Sequence, residues 1–262
     1  MILEFSKYQG AGNDFVLING KAIPELNSST IKQLCDRHLG IGADGLIVIK
    51  NSPTADYEMV YYNADGNIGS MCGNGARCAA KFALAQHIIQ ANIVSFKAYD
   101  GQHTAKIFPD GVVKVSMTEV GKWERRGDDL ILNTGSPHYV KYVSNLFEMD
   151  VKEEGKKIRY SSEFKAEGIN VNFIQEKNGV IHMRTYERGV EDETLACGTG
   201  TVAVAICSLL KNSNPPDGKH EIAIKALGGD LKVLAEFGNN IFKNIYLIGP
   251  AEKVFDGDWE IT

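Results

Sequence analysis

A chain of 262 residues with a formal charge of -5, 44% apolar and 23% charged, has the composition of a globular protein of one large or two ordinary domains. The acidic balance offers no basic surface for nucleic acid, and the longest apolar runs, such as 202–206, are far too short to cross a bilayer. Its first residues, Met1-Ile2-Leu3-Glu4-Phe5-Ser6-Lys7, have neither a basic n-region nor a long apolar stretch, so no signal peptide and a cytoplasmic location are expected.

The first half opens on an expected strand, Ile2 to Tyr8, a glycine-rich turn at Gln9-Gly10-Ala11-Gly12-Asn13-Asp14, and a second strand, Phe15 to Asn19. A short helix around Ser29 to Arg37, capped by Ser or Thr, ends near Leu39-Gly40-Ile41-Gly42. Gly45 to Lys50 and Tyr57 to Asn63 have strand character and lead to Met71-Cys72-Gly73-Asn74-Gly75. The helix from Asn74 to about Ile89 is apolar round most of its circumference, which predicts a central position wrapped by strands. Strands follow at Ile93 to Tyr99, His103 to Phe108 and Val112 to Met117, separated by Asp100-Gly101 and Asp110-Gly111 turns.

The second half repeats the scheme. Strands at Asp129 to Thr134, Tyr139 to Val143, Asn170 to Gln175 and Val180 to Tyr186 lead into a loop, Glu187 to Leu195. Ala196-Cys197-Gly198-Thr199-Gly200 then opens an apolar helix from Thr199 to Leu210. Strands at His220 to Lys225, Asp230 to Phe237 and Ile241 to Gly249 complete it, with Pro215-Pro216 and Gly228-Gly229 as breakers. The expected division is a domain of 1–117 carrying Cys72, completed by about 250–262, and a domain of 118–249 carrying Cys197.

Cys-Gly-x-Gly therefore occurs twice, each time at the start of a helix. The glycines admit a ligand to the backbone, and the helix N-terminus supplies unpaired N–H groups and about half a positive charge. A thiol placed there has its pKa drawn down from about 8.5 toward neutrality. Two such thiols on matching elements suit inversion at carbon, one removing a proton and the other delivering one to the opposite face. On these residues alone a redox-switching disulfide, acyl transfer and a structural repeat stay open beside inversion. Five cysteines, an odd number without C-x-x-C pairs, fit neither a disulfide scaffold nor a structural metal; Cys35, Cys78 and Cys207 read as buried small hydrophobes. No lysine lies in a recognisable pyridoxal-phosphate setting, so no cofactor is expected.

With these residues stand Gly12-Asn13-Asp14-Phe15, Gly40-Ile41-Gly42-Ala43-Asp44-Gly45, Asn63-Ala64-Asp65-Gly66, Pro137-His138, Asn170-Val171-Asn172-Phe173, Tyr186-Glu187-Arg188-Gly189 and Glu193-Thr194-Leu195. In that order, over nearly the whole chain, they resemble the diaminopimelate epimerase family. The resemblance implies an α/β (α+β) fold of two pseudo-symmetric domains, each a barrel-like, mostly antiparallel sheet around a central helix, with the active site in the cleft between them. It implies cofactor-independent interconversion of L,L- and meso-diaminopimelate, in lysine biosynthesis, with Cys72 and Cys197 as the acid–base pair, and a homodimer. The backbone at Gly73, Asn74, Gly198 and Thr199 would hold the reacting carboxylate, and Asn13, Asn63 and Asn170 would be substrate amides. Arg188 would anchor the remote carboxylate, Glu187 an ammonium, and His138 with Glu187 would bias the thiol pKa values.

The same residues have plainer readings: Asn13 and Asn63 as turn formers, His138 as a hydrogen-bonded loop histidine, Glu187 and Arg188 as a surface ion pair. Ser136 stands where the family commonly has Asn, Gly45 replaces a Gln of some members, and the loop 189–193 is one residue longer than the common form. These departures touch recognition of the distal end and leave the cysteine chemistry unchanged.

Overall fold

The computed structural model describes residues 2–21, 23, 25–211 and 215–261. Along the chain it forms β1 (Ile2–Gly10), β2 (Asn13–Asn19), α1 (Ser28–Cys35), β3 (Gly45–Lys50), β4 (Tyr57–Asn63), α2 (Gly73–Ala85), β5 (Ile93–Ala98), β6 (Gly101–Ile107) and β7 (Val113–Ser116). There follow β8 (Trp123–Arg126), β9 (Asp129–Asn133), β10 (Pro137–Tyr142), α3 (Val151–Arg159), β11 (Asn170–Lys177), β12 (Val180–Glu187) and β13 (Asp192–Thr194). The chain ends through α4 (Gly198–Leu209), β14 (Gly218–Ala226), β15 (Gly229–Gly238), β16 (Ile241–Gly249) and β17 (Glu252–Glu260). It divides into two compact units, Met1–Val115 with Gly249–Thr262, and Ser116–Ile248.

In the first unit the strands run in the order β17-β1-β2-β3-β4-β5-β6-β7, antiparallel except for the β2–β3 and β4–β5 pairs. A parallel pair needs a crossover, and α1 and α2 supply the two. Phe15 to Ile18 and Gly45 to Ile49 are buried on both strand faces, which is why they read as continuous apolar runs. Val16, Ile18, Leu46 and Val48 pack with Ile31 and Leu34 of α1. On the other face α2 touches β1, β2, β3, β4, β6 and β17. Strands near both ends of the order thus reach one helix, and the sheet wraps round it.

The second unit has the order β8-β9-β10-β11-β12-β14-β15-β16, again antiparallel except at two steps, β10–β11 and β12–β14. Helix α3 crosses over at the first and α4 at the second. Strand for strand this is the order of the first unit. Val171 and Phe173 of β11 pack with Val151 of α3, so Asn170, Asn172 and Ile174, two residues apart, share the opposite face, toward α4.

Several details differ from expectation. The α1 cap is Asn27, whose side chain accepts from the Thr30 N–H, rather than Ser or Thr. Helix α2 stops at Ala85 because His87 takes a left-handed conformation and the Ile88 N–H bonds back to the Ala83 carbonyl. The turn before β2 is the two-residue loop Ala11-Gly12, both at positive φ, which places Asn13 at the first position of β2. The expected loop Glu187 to Leu195 contains β13, which folds back on the end of β12. Helix α3 and strand β8 are not among the expected elements. Asp150 caps α3 by accepting from the Glu153 N–H, an ordinary start signal, but Gly155 interrupts the helical pattern. It does so because a Cβ there would lie 2.3 Å from Cβ of Tyr186 on β12.

A charge cluster ties β1 and β2 to the segment before β3. Lys7 Nζ lies 2.7 Å from the Asp14 carboxylate and also donates to the Gly42 carbonyl, while Arg37 pairs with both Asp14 and Asp44. Burial alone would raise the Asp14 carboxyl, but hydrogen bonds from Arg37 and Lys7 outweigh it and hold it at about 2. Asp44 is raised by its own burial and by the charge of Asp14. Lys7 is almost wholly enclosed, so Asp14→Asn strands a buried ammonium and is expected to cost about 3 kcal/mol in denaturant unfolding. A loss under about 0.5 kcal/mol, as for an exposed pair, would refute this account of the cluster.

Candidate active site

Each cysteine caps the central helix of its unit. Cys72 and Cys197 have extended backbone at the N-cap of α2 and α4, and the first helical residues, Gly73-Asn74 and Gly198-Thr199, follow directly. The first N–H groups of a helix have no partner within it, so both turns present donors to an anion. The second glycine of each motif is there for close approach. A Cβ on Gly75 would stand 2.9 Å from Cδ1 of Ile47, and one on Gly200 2.4 Å from Oδ1 of Asn172.

In the first unit Asn13, Cys72, Gly73 and Asn74 come together. Asn13 donates to Asp44 at 2.6 Å through Nδ2, which turns its Oδ1 toward Asn74 Nδ2, 3.2 Å away, and Cys72 Sγ, 3.7 Å away. Cys72 is half-buried and its sulfur also accepts from the Gly75 N–H at 3.4 Å. Arg77 lies beneath, fully buried, donating to Asn74 Oδ1, to the Gly73 carbonyl and to Pro250 O. Its Nη2 is buried without a hydrogen-bond partner among the described residues, and desolvation pulls its pKa down to about 10, so it stays a cation near neutrality. Asn63 is exposed at the end of β4, where its backbone closes the turn to Asn67.

In the second unit Cys197 is buried, with Thr199 Oγ1 at 3.5 Å. That hydroxyl lies 2.9 Å from Nε2 of His138, and Nδ1 of His138 lies 3.1 Å from Nδ2 of Asn172. His138 is wholly buried, and burial first, then the charge of Arg188, depress its pKa to about 3. It is a neutral imidazole. Asn170 accepts from the Arg188 N–H at 2.9 Å and donates to Pro137 O at 3.2 Å, joining the ends of β12 and β10. The Arg188 side chain donates to the Glu167 carbonyl, and Glu187 accepts from Thr194 of β13 at 2.8 Å.

Arg77, Asp44 and Asn172 join these clusters without a role expected of them, and so does Thr185, whose hydroxyl donates to Asn172 Oδ1 at 3.0 Å. Asn172 carries a usable signal, since residues two apart on a strand share a face and Asn170 is an expected site residue. Arg77 carries one as well, since a charge on a helix expected to be wrapped by strands must find buried partners. Among the described residues no cluster of His, Cys, Asp and Glu could hold a metal ion, and no helix is long and apolar enough to cross a membrane.

A family model described as Diaminopimelate epimerase matches residues 5–123 and 130–254. A diaminopimelate epimerase of Flavobacterium psychrophilum is 45% identical over 257 residues, 97% of this chain and 99% of that relative. That of Aquifex aeolicus is 39% identical over 276 residues, 97% of each. Among solved structures, a PhzF-family phenazine biosynthesis protein of Bacillus anthracis aligns over 100% of both chains with a TM-score of 0.80 at 13% identity. A hydroxyproline epimerase of Agrobacterium vitis aligns over 98% of this chain and 92% of its own with a TM-score of 0.73 at 12% identity. At those identities the likeness is one of fold.

Two outcomes follow from the buried groups. Burial pushes the thiols of Cys35, Cys78 and Cys207 up to about 12, so iodoacetamide at neutral pH should label Cys72 and Cys197 alone, the other three reacting only after unfolding, as read by peptide mass spectrometry. Between a pH of about 6.5 and about 3 the unfolded chain binds a proton at His138 that the folded chain refuses, so stability falls as pH is lowered through that window. His138→Gln should make that acid-side slope shallower by as much as one proton in urea titrations at stepped pH.

Proposed function

Belonging to the diaminopimelate epimerase family, the chain interconverts L,L- and meso-diaminopimelate, and we propose that it does so with Cys72 and Cys197 as a cofactor-independent acid–base pair. The observation that carries this reading is the repeated placement of a thiol at the N-cap of the central helix, at the same step of two equivalent strand orders.

One sulfur, as thiolate, takes the α-proton. The electron pair left on carbon moves into the adjacent carboxylate, whose growing charge is met by N–H groups at Gly73, Asn74, Gly198 and Thr199. The other sulfur, as thiol, gives its proton to the opposite face of the carbon and is left as thiolate. The two protonation states are thereby exchanged, and the reverse reaction begins where the forward one ends. His138 and Glu187 bias the two thiols, His138 by way of Thr199.

Asn13, Asn63 and Asn170 serve as substrate amides, while Arg188 and Glu187 receive the remote carboxylate and ammonium. Support for the distal pair comes from the Asn170 bond to the Arg188 backbone and from β13, which holds Glu187 through Thr194. A cytoplasmic homodimer belongs to the same reading. Among the described residues of its unit β17 pairs with β1 and stands at the end of the strand order, with Val254 and Phe255 exposed on it, and such an edge invites a second chain.

The test is proton NMR of the reduced protein in D₂O with L,L-diaminopimelate, and with L-proline in parallel. Meso product should carry deuterium at the inverted carbon while unreacted substrate initially keeps protium, and proline should be inert. Cys72→Ser and Cys197→Ser should each lower kcat by about 10² to 10⁴, the contribution of a positioned acid or base. Full activity in either variant would refute the two-thiol reading.

A further inference from the structure

The strand orders of the two units allow each residue beneath one cysteine to be matched with its counterpart beneath the other. The β2–β3 pair begins with Phe15 opposite Gly45, and the β10–β11 pair with His138 opposite Asn170. Phe15 is therefore the counterpart of His138, and Ile47 that of Asn172. Contact agrees with the register: Ile47 and Phe15 lie against Gly75, as Asn172 lies against Gly200. The fold needs only a well-packed apolar pair at these positions, because the first unit is built with one. In the second unit the same two places hold a buried histidine and a buried amide, whose enclosure costs stability unless their hydrogen bonds are met.

The direction of those bonds can be worked out from groups that have no choice. Asn172 Nδ2 lies 3.3 Å from the Tyr139 carbonyl, which can only accept, and Asn172 Oδ1 lies 3.0 Å from the Thr185 hydroxyl, which can donate. The amide is thus held with its NH₂ group toward His138, and Nδ1 of the ring must be an acceptor. A neutral imidazole that accepts at Nδ1 carries its hydrogen on Nε2, and that hydrogen goes to Thr199 Oγ1. Thr199 then has one hydrogen left, and Cys197 Sγ lies 3.5 Å away to take it.

We propose that Asn172 is a positioning residue that locks His138 in the Nε2–H form, so that the Thr199 hydroxyl is turned onto Cys197 and keeps it the thiolate of the resting enzyme. Cys72 differs: beside the Gly75 N–H that its sulfur accepts, it faces the Asn13 oxygen, which Asp44 fixes as an acceptor and which takes the hydrogen of a thiol. The charged group acting on His138 is Arg188, which with burial opposes protonation of the ring and so preserves the direction of the relay. The inference rests on the two-thiol reading, adding to it a residue and an assignment of which sulfur begins as base.

The variant that reverses the relay without changing its shape is Asn172→Asp. A carboxylate accepts from Nδ1–H, leaves Nε2 to take the Thr199 hydrogen, and turns an acceptor toward Cys197; exchange of Asp and Asn beside a histidine is known to select its tautomer in this way. Long-range proton–nitrogen NMR of the wild-type protein should show His138 protonated on Nε2, and Asn172→Asp should move that proton to Nδ1. Ultraviolet thiolate absorbance at neutral pH should survive Cys72→Ser and vanish in Cys197→Ser. The other three thiols stay silent there, since burial holds them near 12. Asn172→Asp should lower kcat by at least about 10² with KM little changed. Thr199→Val should weaken the thiolate signal while leaving the ring tautomer as it was.

A wild-type His138 protonated on Nδ1, a reduced protein without thiolate absorbance, or absorbance lost with Cys72→Ser and kept in Cys197→Ser would each overturn the proposal. The ring measurement needs no variant and no turnover. It therefore decides the relay even if Asn172→Asp does not fold, and stays distinct from the serine variants that test the two-thiol reading.

Discussion

A helix buried at the centre of a sheet must begin somewhere, and its first N–H groups find no partner inside the helix. In each unit of this protein that beginning is a cysteine followed by glycine, and much of the architecture serves to hold it there. Strands near both ends of each order close on the helix, so its start cannot move without disturbing the core. Glycine at the fourth motif position lets a neighbouring strand side chain come into contact with the helix start. The donors at these termini are fixed before any ligand arrives, the condition under which they can stabilise charge that develops on a bound carboxylate.

The two units share strand order, both parallel steps and the site of the cysteine, but their hydrogen bonding differs. Beneath Cys72 lie Phe15 and Ile47, with the polar contacts supplied from beside it by Asn13, Asn74 and the buried Arg77. Beneath Cys197 lie His138 and Asn172, linked to the sulfur through Thr199. A duplicated fold would make two equal thiols. An acid–base pair needs one charged and one neutral sulfur at the outset, and unequal surroundings are the physical means of obtaining them.

What sequence patterning could read follows from how local each signal is. The apolar runs of β2 and β3, the starts of the central helices and the Asp-Gly turns are written in neighbouring residues and appear where expected. Helix α3 is not legible in the sequence because Gly155, required by the approach of Tyr186, breaks the helical pattern at a point whose reason lies on another strand. The repeat itself could have supplied it: a parallel pair at β10–β11 demands a crossover, as α1 provides at β2–β3. Strand β13 is three residues of charge and hydroxyl, held by register with β12 rather than by any propensity of its own.

Sequence alone marked two cysteines with their glycines at helix starts, and the ordered set of motifs pointed to the family and with it to epimerisation; the helix-start thiols by themselves left redox and acyl-transfer chemistry open. Tertiary structure decided what each polar side chain does. The fold makes Asn170 a tie between the ends of β10 and β12, and it turns Asn172, one more asparagine on the same strand, to His138. His138 is neutral because it is buried, a fact of its surroundings rather than of its type. The direction of a hydrogen bond depends on partners such as Tyr139, Thr185 and Thr199, which lie far apart in the chain and meet only when strand register and helix packing bring them together.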